Sequence, residues 1–225
     1  FNVAWREFVT EIKPGISAFV GVCPHFTQIL QDAGFQTVKV GEEPWMNLED
    51  CIPRGNAGKG VRSARNQALL AGLRVEEWNS QDILASEDKK RTLLEIFAEW
   101  KSARIVHLSG FLNASDVLAH SADRRYFILR SRERVEAFLI ASPVPAGNRF
   151  FLEDLLARNH VPRGTGELLT LEAMVALGSS GVKQASLGVV SMATMDAKAA
   201  HCLPGPVRFL LLTIPRVLAS IHNFN

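Results

Sequence analysis

Glu153 and Asp154 stand side by side near the end of an extended, apolar stretch, with Arg158 shortly behind them and a Gly164-Thr165-Gly166 turn beyond. A carboxylate in such a place can position or deprotonate an attacking hydroxyl, and a guanidinium can neutralise a phosphate or a developing oxyanion. Strand alternation sends Glu153 and Asp154 to opposite faces, so only one of them should face a cleft. An ordinary Asp–Arg ion pair at a sheet edge accounts for the same residues. The glycine turn leads directly into a helix, where free backbone N–H groups and the helix dipole can hold an anion. A plain turn feeding a helix explains it too.

A second cluster lies upstream. Arg54, Lys59, Arg62, Arg65 and Arg74 occur with no acidic residue between them. On a helix, Arg62, Arg65, Asn66 and Leu69 fall along one side, and Val61, Ala64, Ala68 and Ala71 along the other. Guanidinium forks match phosphate oxygens bidentately, so such a face suits phosphate. The alternative is a solvated face whose arginines meet Glu76 and Glu77. The histidines, among them His107, His120, His160 and His201, have no HExxH or HxH spacing, and no serine sits in GxSxG, which argues against metal hydrolysis and a serine elbow. Cys23, Cys51 and Cys202 are far apart and lack CxxC spacing, so neither a disulfide framework nor a zinc site is expected.

These residues need a scaffold. At 225 residues, 47% hydrophobic and 21% charged, the chain can bury a substantial core. Its 25 basic and 23 acidic residues leave +2, so any basic surface is local. No window approaches the ~20 apolar residues of a membrane span; Val207 to Ile221, interrupted by Arg208, Pro215 and Arg216, reads as a buried helix. Apolar spacing predicts a helix over Trp5–Ile12, a strand at Ile16–Cys23, a helix from Pro24 closed by Gly34 and a strand at Phe35–Val40. The glycine-rich stretch that follows divides the chain into residues 1–53 and 54–225. Next come the basic helix ending at Gly72 and a helix capped by Ser86. Strands are predicted at Tyr126–Arg130, Val135–Ser142 and Arg149–Leu156, then a helix after Gly164, a strand around Ala185–Val190 and the final helix. The class is α/β in the α+β sense, a mixed, largely antiparallel sheet flanked by helices.

Several short motifs, in one order, resemble the C-terminal domain family of phosphatidylglycerol lysyltransferases. They are Gly41-Glu-Glu43 after a strand, Gly58-Lys59 through Arg62, Arg65, Asn66 and Gly72-Leu73, Glu99-Trp100 at a helix end and Ser109-Gly110-Phe111. Asp154-Leu-Leu-Ala-Arg158, then Gly164-Thr165-Gly166-Glu167, and Ser186-Leu187-Gly188 complete the set. The resemblance implies acetyltransferase-like (GNAT) units in tandem, the first partial and the second, 54–225, lacking its last strand. It also implies transfer of an aminoacyl group from aminoacyl-tRNA to a hydroxyl of an anionic phospholipid at the cytoplasmic face of the membrane, with no cofactor and no metal. Under it, Asp154 positions or deprotonates the hydroxyl and Arg158 meets phosphate or oxyanion. Lys59, Arg62, Arg65, Asn66, Arg163, Gly164, Thr165 and Glu167 then contact substrate. Two other readings stand beside it: an acyl-CoA-dependent N-acyltransferase, and a non-catalytic anion-binding module. Acetyl-CoA-dependent GNAT proteins usually carry Arg or Gln three positions before the first glycine of the loop; here that position is Val161.

Overall fold

The computed structural model describes residues 19, 22, 24–39, 41–103, 116–119, 121–144, 147–188 and 190–191. They fall into two compact units, divided in sequence at Glu42/Glu43 and Gly188/Val189. In the first unit, helix α1 (Pro24–Asp32) opens on a proline, whose fixed φ suits a first turn, and buries Leu30. Gly34 closes it at φ +86, while the Phe35 N–H donates to the Leu30 carbonyl at 2.9 Å. The strand expected at Phe35–Val40 is corrected: residues 35–39 make no ladder. Among the described residues strand pairing begins at β1 (Gly41–Glu42), antiparallel to a second short strand at Val190–Ser191. The helices read at Trp5–Ile12 and Val207–Ile221 lie outside the described residues.

The second unit is built on one six-stranded sheet. In chain order its strands are β2 (Trp45–Asn47), β3 (Arg74–Trp78), β4 (Arg125–Arg130), β5 (Val135–Val144), β6 (Arg149–Ala157) and β7 (Gln184–Ser186), which makes Val190–Ser191 β8. In space the order is β2-β7-β6-β5-β4-β3, and only β6 and β7 run parallel. This is the mixed, largely antiparallel sheet that the sequence predicts. Helices α2 (Lys59–Leu70) and α5 (Thr165–Ser179) bury Ala68, Leu168, Leu169, Met174 and Leu177 against one face. Helices α3 (Ser80–Ala85) and α4 (Glu87–Ser102) bury Ile83, Leu93 and Ile96 against the other. Strand β5 shows why: Ala137, Leu139 and Ala141 feed one core and Phe138 and Ile140 the other, so it reads as one apolar run rather than alternating.

Strand β3 escapes the sequence pattern because Glu76 and Glu77 interrupt its alternation. Those acids do not meet the arginines of the basic helix. Glu77 takes a two-pronged pair from Arg125, both bonds at 2.7 Å, and Glu76 meets Arg130 at 3.3 Å across the β3–β4 ladder. The Ser86 cap is as expected, its hydroxyl accepting from the Lys89 N–H at 3.3 Å, with Glu87 and Asp88 in the first turn of α4.

Two contacts hold the elements that carry the candidate residues. Gly164 caps α5 at φ +87, and a β-carbon there would fall 1.9 Å from the carbonyl oxygen of Ala64 in α2. Only glycine allows both the left-handed turn and so close a backbone approach. At the other end of the assembly, Arg158 clamps β6 to α4: its Nε donates to the Val135 carbonyl at 2.9 Å, and its Nη1 donates to Glu99 at 3.0 Å. Glu99 also accepts from the Asn159 N–H at 2.6 Å. That backbone N–H first, and the Arg158 guanidinium after it, hold the Glu99 carboxyl below the ordinary glutamate range against the opposing effect of burial.

Gly164→Ala is expected to cost about 3 kcal/mol in urea unfolding, from backbone strain plus the forced separation of α2 and α5. Gly181→Ala has the same strain at φ +89 but open space around it, so it should cost only about 1 kcal/mol; equal losses would contradict the close approach. Because Glu99 has a depressed pKa in the folded state, its contribution is full above the unfolded value of about 4.3 and disappears as pH falls through the lower folded one. The stability advantage of wild type over Glu99→Gln should therefore be flat above about pH 5 and shrink below about pH 4.3. An advantage that grows on acidification would contradict the clamp.

Candidate active site

Strand β6 contains one residue more than its partner. Ile140 of β5 lies opposite Asp154, but Ala141 lies opposite Leu152, so Glu153 is a β-bulge. The packing shows the same shift. Phe150 and Leu152 before the bulge, and Leu155 and Ala157 after it, all contribute to the core under α2 and α5, although their numbers change parity. Asp154 shares a face with Ile140, which belongs to the core under α4. Ser142, two residues along from Ile140 on that face, donates its hydroxyl to Glu153 at 2.7 Å. Both carboxylates therefore lie on the α4 face. The opposite orientation expected from simple alternation is corrected, since the extra residue removes the alternation at that point.

Beside the bulge the sheet opens. Strands β6 and β7 pair over Arg149–Phe151 and Gln184–Ser186 only, and β7 then ends in Leu187 and Gly188, the latter at φ +94. From Leu152 onward β6 has no ladder partner on that flank among the described residues. Glu153 and Asp154 thus sit where a parallel pair separates, a place at which open α/β sheets accept ligands.

The remaining candidates divide between the two faces. Arg158 is on the α4 side, 14% exposed, with its guanidinium engaged by Glu99 and, at 3.6 Å, by Glu95. On the α2/α5 side, Arg62 donates to the carbonyls of Pro53 at 2.8 Å and Gly55 at 2.9 Å, tying down the loop that precedes its helix. Arg65 pairs with Glu172 of α5 at 2.6 Å. These two arginines stitch the structure, and Leu69 packs toward the core rather than joining an exposed basic stripe. Lys59, Asn66, Arg163 and Glu167 are exposed. Thr165 is buried and its hydroxyl donates to the Pro162 carbonyl at 2.7 Å. Gly164 locks this corner against Ala64, and the Leu155 side chain lies 3.9 Å from where a Gly166 β-carbon would be. The glycine turn and the basic helix, distant in sequence, are thus brought together, while Asp154 lies on the other face of β6.

Sequence reasoning missed Arg124, which pairs with Glu153 at 3.1 Å, as well as Ser142 and the carboxylate role of Glu99. The parity change between Leu152 and Leu155 was the available signal. Tyr126, fully buried opposite Ile140, donates its hydroxyl to the Val117 carbonyl at 3.0 Å, and burial pushes its phenol up. Among the described residues no cluster of His, Cys, Asp or Glu is arranged to hold a metal, and no helix is long and apolar enough to cross a membrane.

Comparison with known proteins shows the family and the fold. The family model described as phosphatidylglycerol lysyltransferase, C-terminal, matches residues 2–225. The lysylphosphatidylglycerol biosynthesis bifunctional protein LysX of Mycobacterium leprae is 27% identical over 221 residues, 95% of this chain and 19% of that protein. The protein of the same name from Mycobacterium tuberculosis is 26% identical over 196 residues, 86% of this chain and 16% of the relative. Among solved structures, L-PGS from Bacillus licheniformis superposes with a TM-score of 0.63 at 14% identity, over 89% of this chain and 59% of that one. A C-terminal domain (DUF2156) from Agrobacterium fabrum gives 0.60 at 18% identity, over 76% and 53%. The chain spans about a fifth of the length of the curated relatives it matches, and its likeness to the solved structures is one of fold. With a family model matched from residue 2 to residue 225, the chain belongs to the family of phosphatidylglycerol lysyltransferase C-terminal domains.

Proposed function

We propose that the chain carries the transfer of a lysyl or similar aminoacyl group from aminoacyl-tRNA to a hydroxyl of phosphatidylglycerol. The observation that supports this most is the Glu153–Asp154 bulge beside the opening between β6 and β7, in a chain of this family. An aminoacyl ester is already activated. The protein has only to align the acceptor hydroxyl with the ester carbonyl, take the proton of that hydroxyl and stabilise the charge that develops. In this reading Asp154 accepts the proton from the lipid hydroxyl as the new ester C–O bond forms. The old ester C–O bond then breaks, and the proton passes to the departing ribose oxygen. One ester replaces another, so the exchange balances without a further reactant.

Lys59, the first residue of α2, and Arg163, just before the Gly164 cap of α5, are exposed cations open to anionic phosphate of either substrate; Asn66 and Glu167 are exposed as well. Arg62 and Arg65 are engaged by Pro53, Gly55 and Glu172 and hold the elements that carry them. Arg158, which sequence assigned to phosphate or oxyanion, would have to release Glu95 and Glu99 to meet either; its clamp serves the reaction by holding the end of β6 in place.

The test is lysyl-phosphatidylglycerol formation from lysyl-tRNA and phosphatidylglycerol vesicles. Asp154→Asn should reduce kcat by about 100-fold or more while the protein remains folded. Normal turnover by that variant would contradict the assignment, and acyl transfer from acyl-CoA in place of lysyl-tRNA would move the protein to the other acyltransferase class. Lys59→Ala combined with Arg163→Ala should raise KM rather than lower kcat, with the salt dependence of KM reduced.

A further inference from the structure

Glu153, the residue added by the bulge, is held at both carboxylate oxygens by parts of the chain that are separate in sequence. Arg124, just after the 3-10 turn Ser121–Asp123, donates to Oε1 at 3.1 Å, and Ser142 of β5 donates to Oε2 at 2.7 Å. The Arg124 and Glu153 side chains are only 10% and 23% exposed. Both bonds are charge-assisted and shielded from water, which makes them stronger than a surface pair.

Such a restraint has a definite consequence. A bulge can move along a strand, and each one-residue move transfers a side chain to the other face. If the extra residue were relocated beyond Asp154, the Asp154 side chain would turn toward the core of Leu152 and Leu155, where a carboxylate has no place. The bonds from Arg124 and Ser142 hold Glu153 as the extra residue between the Ala141–Leu152 and Ile140–Asp154 pairs, so that Asp154, and not Glu153, stands opposite Ile140.

We propose that Arg124, Ser142 and Glu153 form a latch that pins the bulge and thereby positions Asp154 for the transfer reaction. The three are positioning residues, none touching the reacting atoms. The inference rests on the role of Asp154 proposed above, and its test separates the two.

Glu153→Ala removes both bonds, and it should lower kcat for lysyl-phosphatidylglycerol formation by about 100-fold with KM for phosphatidylglycerol changed less than about 3-fold. Glu153→Gln keeps an oxygen that can accept from Arg124 and an amide that can donate to Ser142, so it should restore kcat to within about 5-fold of wild type. Ser142→Ala should lose about 10-fold and Ser142→Thr almost nothing, which supplies a milder pair if Glu153→Ala fails to fold. Melting temperatures accompany each rate. Wild-type kcat in Glu153→Ala or, should that variant not fold, in Ser142→Ala, alongside an inactive Asp154→Asn, overturns the latch and leaves the Asp154 assignment standing. Normal turnover by Asp154→Asn overturns both. A loss of kcat in step with melting temperature, with no recovery in Glu153→Gln or Ser142→Thr, reduces the contacts to ordinary structural bonds and also overturns the proposal.

Discussion

One extra residue in β6 governs the whole arrangement around Asp154. Side chains of a strand are committed to faces by alternation, and a sheet with apolar cores on both faces leaves no freedom in that commitment. The bulge at Glu153 satisfies two demands that alternation alone sets against each other. Leu152 and Leu155 must both enter the core under α2 and α5, while Asp154 must stay on the α4 face beside Ile140. Removing the extra residue would send either a leucine or a carboxylate to the wrong side. The bulge therefore couples the packing of the sheet to the presentation of a polar pair, the use to which bulges near functional sites are commonly put.

The elements on either face keep this strand in register. Under α2 and α5, Gly164 presses against the Ala64 carbonyl and Arg65 bonds Glu172, so the two helices behave as one layer. On the α4 side, Arg158 joins the end of β6 and the start of β5 to Glu99. Arg158 thus fixes the strand at the C-terminal end of the flank that has no ladder partner among the described residues. At the other end of that flank the strand separates from β7 after three paired residues, Arg149, Phe150 and Phe151. A rigid edge beside an opening is what alignment of two substrates requires, because small displacements at the reacting atoms are costly in rate.

Much of this was legible in the residues themselves. The meander β4-β5-β6, the Ser86-capped helix and the glycine-led helix α5 follow from apolar periodicity and cap chemistry, which are local properties. Strand β3 was hidden because paired acids at Glu76 and Glu77 face arginines of a neighbouring strand, a partnership no local pattern reveals. The basic helix was located correctly, and its role was read from local charge, helical facing and the family motif. Tertiary contacts turn Arg62 and Arg65 inward to Pro53, Gly55 and Glu172 and leave Lys59 outward. Alternation also mispaired Glu153 and Asp154, since a bulge is a property of two strands together.

The placement of Asp154 depends on where β5 and β6 meet. Cross-strand proton NOEs in the isotopically labelled protein read that register directly. Contacts linking Ala141 to Leu152 and Ile140 to Asp154 are the predicted result, with Glu153 left between them. Contacts linking Ala141 to Glu153 and Ser142 to Leu152 would mean an unbroken ladder, and would contradict the account.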